Sequence, residues 1–510
     1  MGGGNIKRTD FIYLAGLAII ALWVFPYIFS ARLDINGDNC HYYINATSLS
    51  QGKGYCDMFG KATANFPPGY PMLMAPLRCI TASIVAQKVL NLLLFFGSTV
   101  MLYFLLIRQD LPKTLAFIIS ATVLTTPHLL EFATMMMSES SCIFFIILSL
   151  LLFCFLPDER KGERIWSSKC LYLFLAATLF SFYIRTQAVV LAGAFIAGLA
   201  AVRRWRLSVA VTLVSVLGYL PWVIRNALYG LGQSRYVSQI SLDSFGTKIK
   251  MLIVQALPES MAPYFNVDYM RSPSLLLWVV AIGILAVSAY GIWRLERLRA
   301  VVYPFLVFGV GMIAAINTPS LYRYLIILLP VFTAVFFTGL WMIADRLSTW
   351  LFKRNFSPWF MVLLLIPGVS CGGNGIMKHN LKDLNSFSKH EYPPHFINYF
   401  SMAHAVSVAE PDAIIASRKP ELLYVAEGVK GVQFNKTTDE VEFVRHLLLE
   451  GVGYVLVDDT GFSSTDNYLV QFISNNKELF TIKDYTPQPH TFLFRFEREI
   501  ARKWLKRKGY

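Results

Sequence analysis

Two carboxylates, Asp38 and Glu139, stand beside apolar runs of membrane-spanning length, and Arg185, Arg225 and Arg323 fall at the ends of other such runs. A charge at a lipid–water boundary is costly unless it is paired or used. Asp38 follows the first apolar run, with Asp34 as its local competitor. His41 and Tyr42 come three and four residues later, which on a helix places them on the same side as Asp38. Such a carboxylate can act as a base or a metal ligand. It can equally cap a short helix running through Leu49, since Asp is a favoured N-cap, and the two roles are compatible. Glu139 opens a long apolar run in Met137-Ser138-Glu139-Ser140. Burying its charge needs a partner or a purpose, although an N-cap or interfacial role is open here too. Glu131 is a weaker candidate in the same short loop.

Two acids from separate segments at one membrane level would suit an oxygen-preferring divalent cation, Mg or Mn, held by Asp38 and Glu139. They would also suit one acid with one orienting residue. A guanidinium matches phosphate because its planar fork binds two oxygens at once. Singly, each arginine reads as a snorkelling residue; with two acids on the same side, the set favours a phosphate-handling site. Tyr70 and Tyr324 complete the candidates for substrate contact. Tyr70 lies in Phe66-Pro67-Pro68-Gly69-Tyr70-Pro71, whose prolines fix the backbone and whose glycine permits a sharp turn.

The elements that must position these residues are membrane helices. The 510-residue chain is 55% hydrophobic with a mean hydropathy of +0.49, which excludes a soluble class. Its apolar runs have bilayer-spanning length, roughly 17–25 residues. They fall near 11–30, 84–107, 113–129, 137–156, 169–185, 187–202, 207–224, 274–293, 300–316, 323–343 and 358–371, about eleven spans. The first is too long, and lacks the small-residue site, for a cleaved signal. Basic residues flank alternate spans: Lys7 and Arg8; Arg160, Lys161 and Arg164; Arg203, Arg204 and Arg206; Arg294, Arg297 and Arg299; Arg346, Lys353 and Arg354. That side should be the cytoplasm, as expected for the inner membrane of a cell. The N-terminus then lies inside, and the acidic loop and everything after 372 lie outside. The net charge of +14 is mostly this topology signal, so nucleic acid is not an expected partner. The basic tail from Arg498 to Lys508 would touch anionic headgroups.

The chain divides into a helical body over 1–371, which includes an outer loop at 31–83, and an outer domain over 372–510 joined by Gly372-Gly373-Asn374-Gly375. Short β-like runs at 413–417, 454–457 and 491–496, with a helical stretch near 440–450, predict a small α/β domain. Ile249, Leu252, Ile253, Ala256 and Leu257 recur at helical spacing, predicting either a helix in the interface plane or one closing the bundle. Of seven cysteines, Cys40 and Cys56 share the outer loop and would pair only in an oxidising compartment and at suitable separation.

Several spaced motifs resemble the GT-C superfamily of polytopic glycosyltransferases, especially family-39-like bacterial proteins such as protein O-mannosyltransferases and the lipid A aminoarabinose transferase. They are Gly37-Asp38 with Tyr42, Tyr43 and Ala46; Gly52, Gly54 and Tyr55; Phe66 to Pro71; and Ser138-Glu139 opening a span. Pro221-Trp222, Arg225-Asn226 and Gly230 follow, then Tyr322-Arg323-Tyr324 leading to Pro330, Ser417-Arg418-Lys419-Pro420, and Tyr454 to Asp458. The resemblance implies a GT-C helical body and transfer of a sugar from a polyprenyl-phosphate donor to a lipid, glycan or protein acceptor at the outer face. Asp38 would activate the acceptor or help hold a metal, Glu139 would be the second acid, and Arg225 and Arg323 would contact phosphate. Where some relatives carry Lys before Pro-Pro, this chain has Phe66, so Arg185 or Lys61 would have to supply that contact. A transporter or lipid flippase is the alternative class; it would place polar groups near the bilayer midplane, often in inverted repeats. No repeat is apparent here, and most charges cluster at span ends.

Overall fold

The computed structural model describes residues 8–157, 164–231, 240–260, 275–316, 321–353, 392–459 and 461–510. The apolar run at 358–371, the Gly372–Gly375 linker and the basic residues Lys7, Arg160, Lys161 and Arg354 lie outside the described residues. Contacts divide the chain into a helical unit, residues 1–30 and 63–383, and a C-terminal unit, residues 31–62 and 384–510.

Within the helical unit, five helices among the described residues are long and apolar enough to cross a membrane: Arg8–Pro26, Ile84–Ile107, Trp205–Leu228, Leu277–Arg294 and Leu329–Leu351. Lys113–Thr125 and Pro127–Ala133 would form one more span if taken together, bent by 62°. The bend follows from Pro127, which holds the preceding Thr126 in an extended conformation that no helix accepts. Ser138–Phe153, Lys169–Ile184 and Arg299–Ala315 are shorter apolar helices. The span expected at 323–343 is displaced: its helix is Leu329–Phe352, and Arg323 sits on a separate short helix, Leu321–Leu325. Pro330 explains the shift, because proline is favoured in a first turn and cannot continue one.

The stretch over 249–257 is a helix, Phe245–Met251, that widens to a π-helical turn over Leu252–Ala256. Val254 packs in one cluster with Leu277 and Ala281, so its apolar side closes the bundle. That contact supports the second of the two readings.

The C-terminal unit is a five-stranded sheet with strands β1 (Ile415–Ser417), β2 (Gly431–Gln433), β3 (Tyr454–Val457), β4 (Phe480–Pro487) and β5 (His490–Phe496), in the order β2-β1-β3-β5-β4. The β1 strand pairs parallel with β2 and β3, while β5 runs antiparallel to β3 and β4. Helix Glu440–Leu449 covers the sheet through Phe443, Val444 and Leu447. The loop segment 31–62 belongs to this unit: Phe59 packs on the same core, and helix Asp38–Ser50 packs against helix Pro420–Glu427.

Candidate active site

The candidate acids belong to different units, each with its own surroundings. In the helical unit, Glu139 occupies the first turn of helix Ser138–Phe153, where the helix dipole favours a negative charge. No side chain caps that helix; Met137 precedes it in extended conformation. The turn before it is held from the side by Asn91, whose amide donates to the carbonyls of Met135 (2.5 Å) and Met137 (2.7 Å). Asn91 is fully buried in helix Ile84–Ile107, so satisfying those carbonyls fixes where Glu139 begins its helix.

The Glu139 side chain is 0% exposed, and its Oε1 accepts from two guanidiniums. Arg185 Nη1 and Arg323 Nε each lie 2.8 Å away. Arg185 follows helix Lys169–Ile184 in an extended conformation, ahead of the short turn Thr186–Ala188. Its Nη1 also donates to Ser138 Oγ (2.9 Å), and its Nη2 and Nε donate to Gln187 Oε1 (3.1 and 3.3 Å). Arg185 is buried, whereas the Arg323 side chain keeps 27% of its surface exposed. Two guanidiniums to one carboxylate leave this cluster net positive. It can therefore hold an anion with Arg323 as its accessible arm.

Arg225 makes a different set of contacts. Its Nη1 donates to the Thr63 carbonyl and to Asn226 Oδ1, both at 2.8 Å, and its guanidinium lies over Trp222 and Tyr229. Tyr324 is half-buried beside Arg323. Tyr70 is wholly buried on helix Gly69–Ile80. Its neighbour Gly69 does not serve a sharp turn, contrary to the expectation for this motif. A Cβ at Gly69 would stand 2.6 Å from the Tyr183 backbone, so glycine permits close helix contact directly before Arg185.

In the C-terminal unit, Asp38 is the first residue of helix Asp38–Ser50. The expected N-cap role falls instead to Gly37, whose φ of 96° suits glycine, and no side chain caps this helix. Asn39 ties the turn by accepting from the Gly37 amide (3.1 Å) and donating to the Asp34 carbonyl (2.8 Å). Asp34 and Asp38 are both half-buried. His41 Nε2 lies 3.1 Å from Glu421 Oε1. Tyr42 is 1% exposed and belongs to the core. Lys61 is largely exposed and pairs with Glu450 at 3.8 Å.

Cys40 and Cys56 are both free thiols. Burial pushes the Cys40 thiol well above its usual range, and the charges of Glu421, Asp34 and Asp38 add to that. Burial also acts against the Glu421 carboxylate, but the hydrogen bond and charge of His41 prevail and hold it below the usual carboxylate range. Burial lowers the Lys419 ammonium.

Glu139 does not fit a divalent cation, because both guanidiniums already converge on its Oε1 and would repel one. Among the described residues no group of three or more His, Cys, Asp or Glu side chains is arranged to hold a metal.

Sequence reasoning missed Asn91, Gln187 and Glu421, and quoted Ser138 only as part of the motif that opens the Glu139 span. The signal for Asn91 was legible: Gln87, Asn91 and Ser98 recur on one face of a mostly apolar span that also carries Lys88 and Thr99.

No family profile matches the chain, and no curated protein matches it by sequence. Its architecture has clear counterparts among solved structures. ArnT from Cupriavidus metallidurans bound to undecaprenyl phosphate superposes with a TM-score of 0.60 over 96% of this chain and 98% of that one, at 10% identity. The chain has the GT-C fold. The Archaeoglobus fulgidus oligosaccharyltransferase AglB, in complex with an inhibitory peptide and a dolichol-phosphate, gives 0.58 over 88% of this chain and 69% of that one, at 12% identity. A second structure of that archaeal enzyme, with Zn and sulfate, gives 0.55 over 87% and 67%, at 14% identity.

Proposed function

We propose that this chain is an integral membrane glycosyltransferase, moving a hexosyl or pentosyl group from a polyprenyl-phosphate donor to a lipid, glycan or protein acceptor. The observation that carries this reading is the net-positive Glu139–Arg185–Arg323 cluster, set in a helical GT-C unit. The solved relatives with this fold include one bound to undecaprenyl phosphate and one bound to a dolichol-phosphate.

In the proposed reaction an acceptor hydroxyl or amine attacks the anomeric carbon as the bond from that carbon to the phosphate oxygen breaks. The electron pair leaves with the phosphate, and Arg323 and Arg225 stabilise its developing charge. Glu139 orients Arg185 and Arg323 through its single shared oxygen. Asp38 takes the acceptor's proton or orients the acceptor. Asp34, His41, Tyr42, Tyr70 and Tyr324 stand as further substrate-binding candidates, Tyr42 and Tyr70 acting through packing since both are buried. No step here depends on a divalent cation.

This reading includes a body of about eleven spans in an inner membrane, with the N-terminus cytoplasmic, and the Asp38 loop and residues 392–510 outside. Transfer of label from a polyprenyl-phosphate sugar to acceptor tests the chemistry. Asp38→Asn and Glu139→Gln should each lose transfer; full activity in both variants removes the basis of the proposal.

A further inference from the structure

We propose that Lys419 and Glu421 of the C-terminal unit are positioning residues for Asp38. This inference rests on the reading of Asp38 as the acid that handles the acceptor. Lys419 is the N-cap residue at the corner between β1 and helix Pro420–Glu427, and Glu421 stands in the first turn of that helix. Lys419 Nζ donates to the Ile35 carbonyl at 2.7 Å. Glu421 Oε1 meets His41 Nε2 at 3.1 Å. Ile35 lies three residues before Asp38 and His41 three residues after it. The turn that carries the acid is therefore held on both flanks by side chains from a distant part of the sequence.

The corner is itself braced by a buried tyrosine. Tyr399 is fully buried, and its hydroxyl donates to the Lys419 carbonyl (3.0 Å) or to Ser417 Oγ (2.9 Å). Pro420 follows in the first turn of its helix, where its fixed φ suits the helix start. Tyr392 adds a hydrogen bond from its hydroxyl to the Leu33 carbonyl at 3.3 Å. Asp38 follows a glycine at positive φ in a turn that Asn39 ties through its side chain to the Gly37 amide and the Asp34 carbonyl; Lys419 and Glu421 add the ties from outside the turn. A small displacement of a reacting group is expensive in rate, on the order of 100-fold for about 1 Å.

The test uses the full chain in lipid nanodiscs, with Lys419→Ala, Lys419→Arg, Glu421→Ala and Asp38→Asn. Amide hydrogen exchange over residues 33–41 reports the clamp without reference to any reaction. Donor-to-acceptor transfer reports its consequence. Lys419→Ala and Glu421→Ala should speed exchange over 33–41 while leaving β3 and β5 protected. Each should lower kcat about 10- to 100-fold with the donor KM unchanged, and Lys419→Arg should retain most of both. Unchanged exchange in both alanine variants overturns the clamp whatever happens to turnover. Faster exchange with full kcat, in a protein that Asp38→Asn inactivates, overturns its role in the reaction. Loss of protection throughout the unit would mark Lys419 and Glu421 as general stabilisers and also overturn it. If Asp38→Asn is fully active, the functional reading of Asp38 fails, while the exchange measurement still decides the clamp.

Discussion

Glu139 shares one oxygen between two guanidiniums while fully buried, so its replacement has a definite sign. Glu139→Gln leaves Arg185 and Arg323 facing a neutral amide in a desolvated site. Breaking a buried pair from one side costs about 3–5 kcal/mol, and thermal unfolding in detergent should show a lower Tm together with lost transfer. Adding Arg185→Met to that variant should recover part of the Tm but no activity, since the coupling is energetic and the anion site stays incomplete. Glu421 gives a pH signature. Its carboxyl is held below the ordinary value of 4.5, so the folded unit binds that proton more weakly than the unfolded chain. The stability it adds is present above that value and is lost as pH falls through the folded value. Acidification below pH 4.5 should therefore lower the Tm of wild type more than that of Glu421→Gln. Asp38 and Glu139 were legible because a carboxylate beside an apolar run is conspicuous. Lys419 was quoted only within a loose motif and Glu421 not at all. Lys419 meets Ile35 across 384 residues, and nothing in local spacing announces such a pairing.

At the scale of elements, Gly69 is the most exposed to test. A methyl at that position would meet the Tyr183–Ile184 backbone, and the element it would displace ends at Arg185. Gly69→Ala should cost about 1–3 kcal/mol by overpacking and weaken donor binding, read as a lower Tm and a raised donor KM. Serine at Gly54, where nothing lies within 4 Å, is a poor control because the positive φ there strains any side chain. Gly246, with open space and no such φ, is a better one, and Gly246→Ala should leave the Tm nearly unchanged. Most helices were legible from apolar runs, and Ile84–Ile107 appears with the expected bounds. The start at Leu329 was missed because the apolar run continues upstream of Pro330, and hydropathy does not register the break. Strand β4 was missed for the opposite reason. It is an edge strand, mostly exposed, whose Lys483, Asp484 and Pro487 suit an edge and hide the alternation of a buried strand.

For the whole molecule, the division into units changes where the acidic loop belongs. Residues 31–62 pack with a domain that follows more than 300 residues later in the sequence, through Phe59 and the helix that opens at Asp38. The sequence suggested this loop as part of the helical body because it lies between two apolar runs; chain order carried no sign of a return by 384–510. Orientation is open to a direct test. Alkaline phosphatase fused after Tyr510 should be active, and the same enzyme fused after Lys353 should be inactive, as the distribution of basic residues predicts. The central claim is the transfer itself. Purified protein should be given a native lipid extract and acceptor, and free polyprenyl phosphate measured against time for wild type and Asp38→Asn. The account predicts release by wild type, matched by loss of one lipid-linked sugar, and little release by the variant. Equal release by both, or none by a folded wild-type preparation across lipid, glycan and protein acceptors, would contradict it.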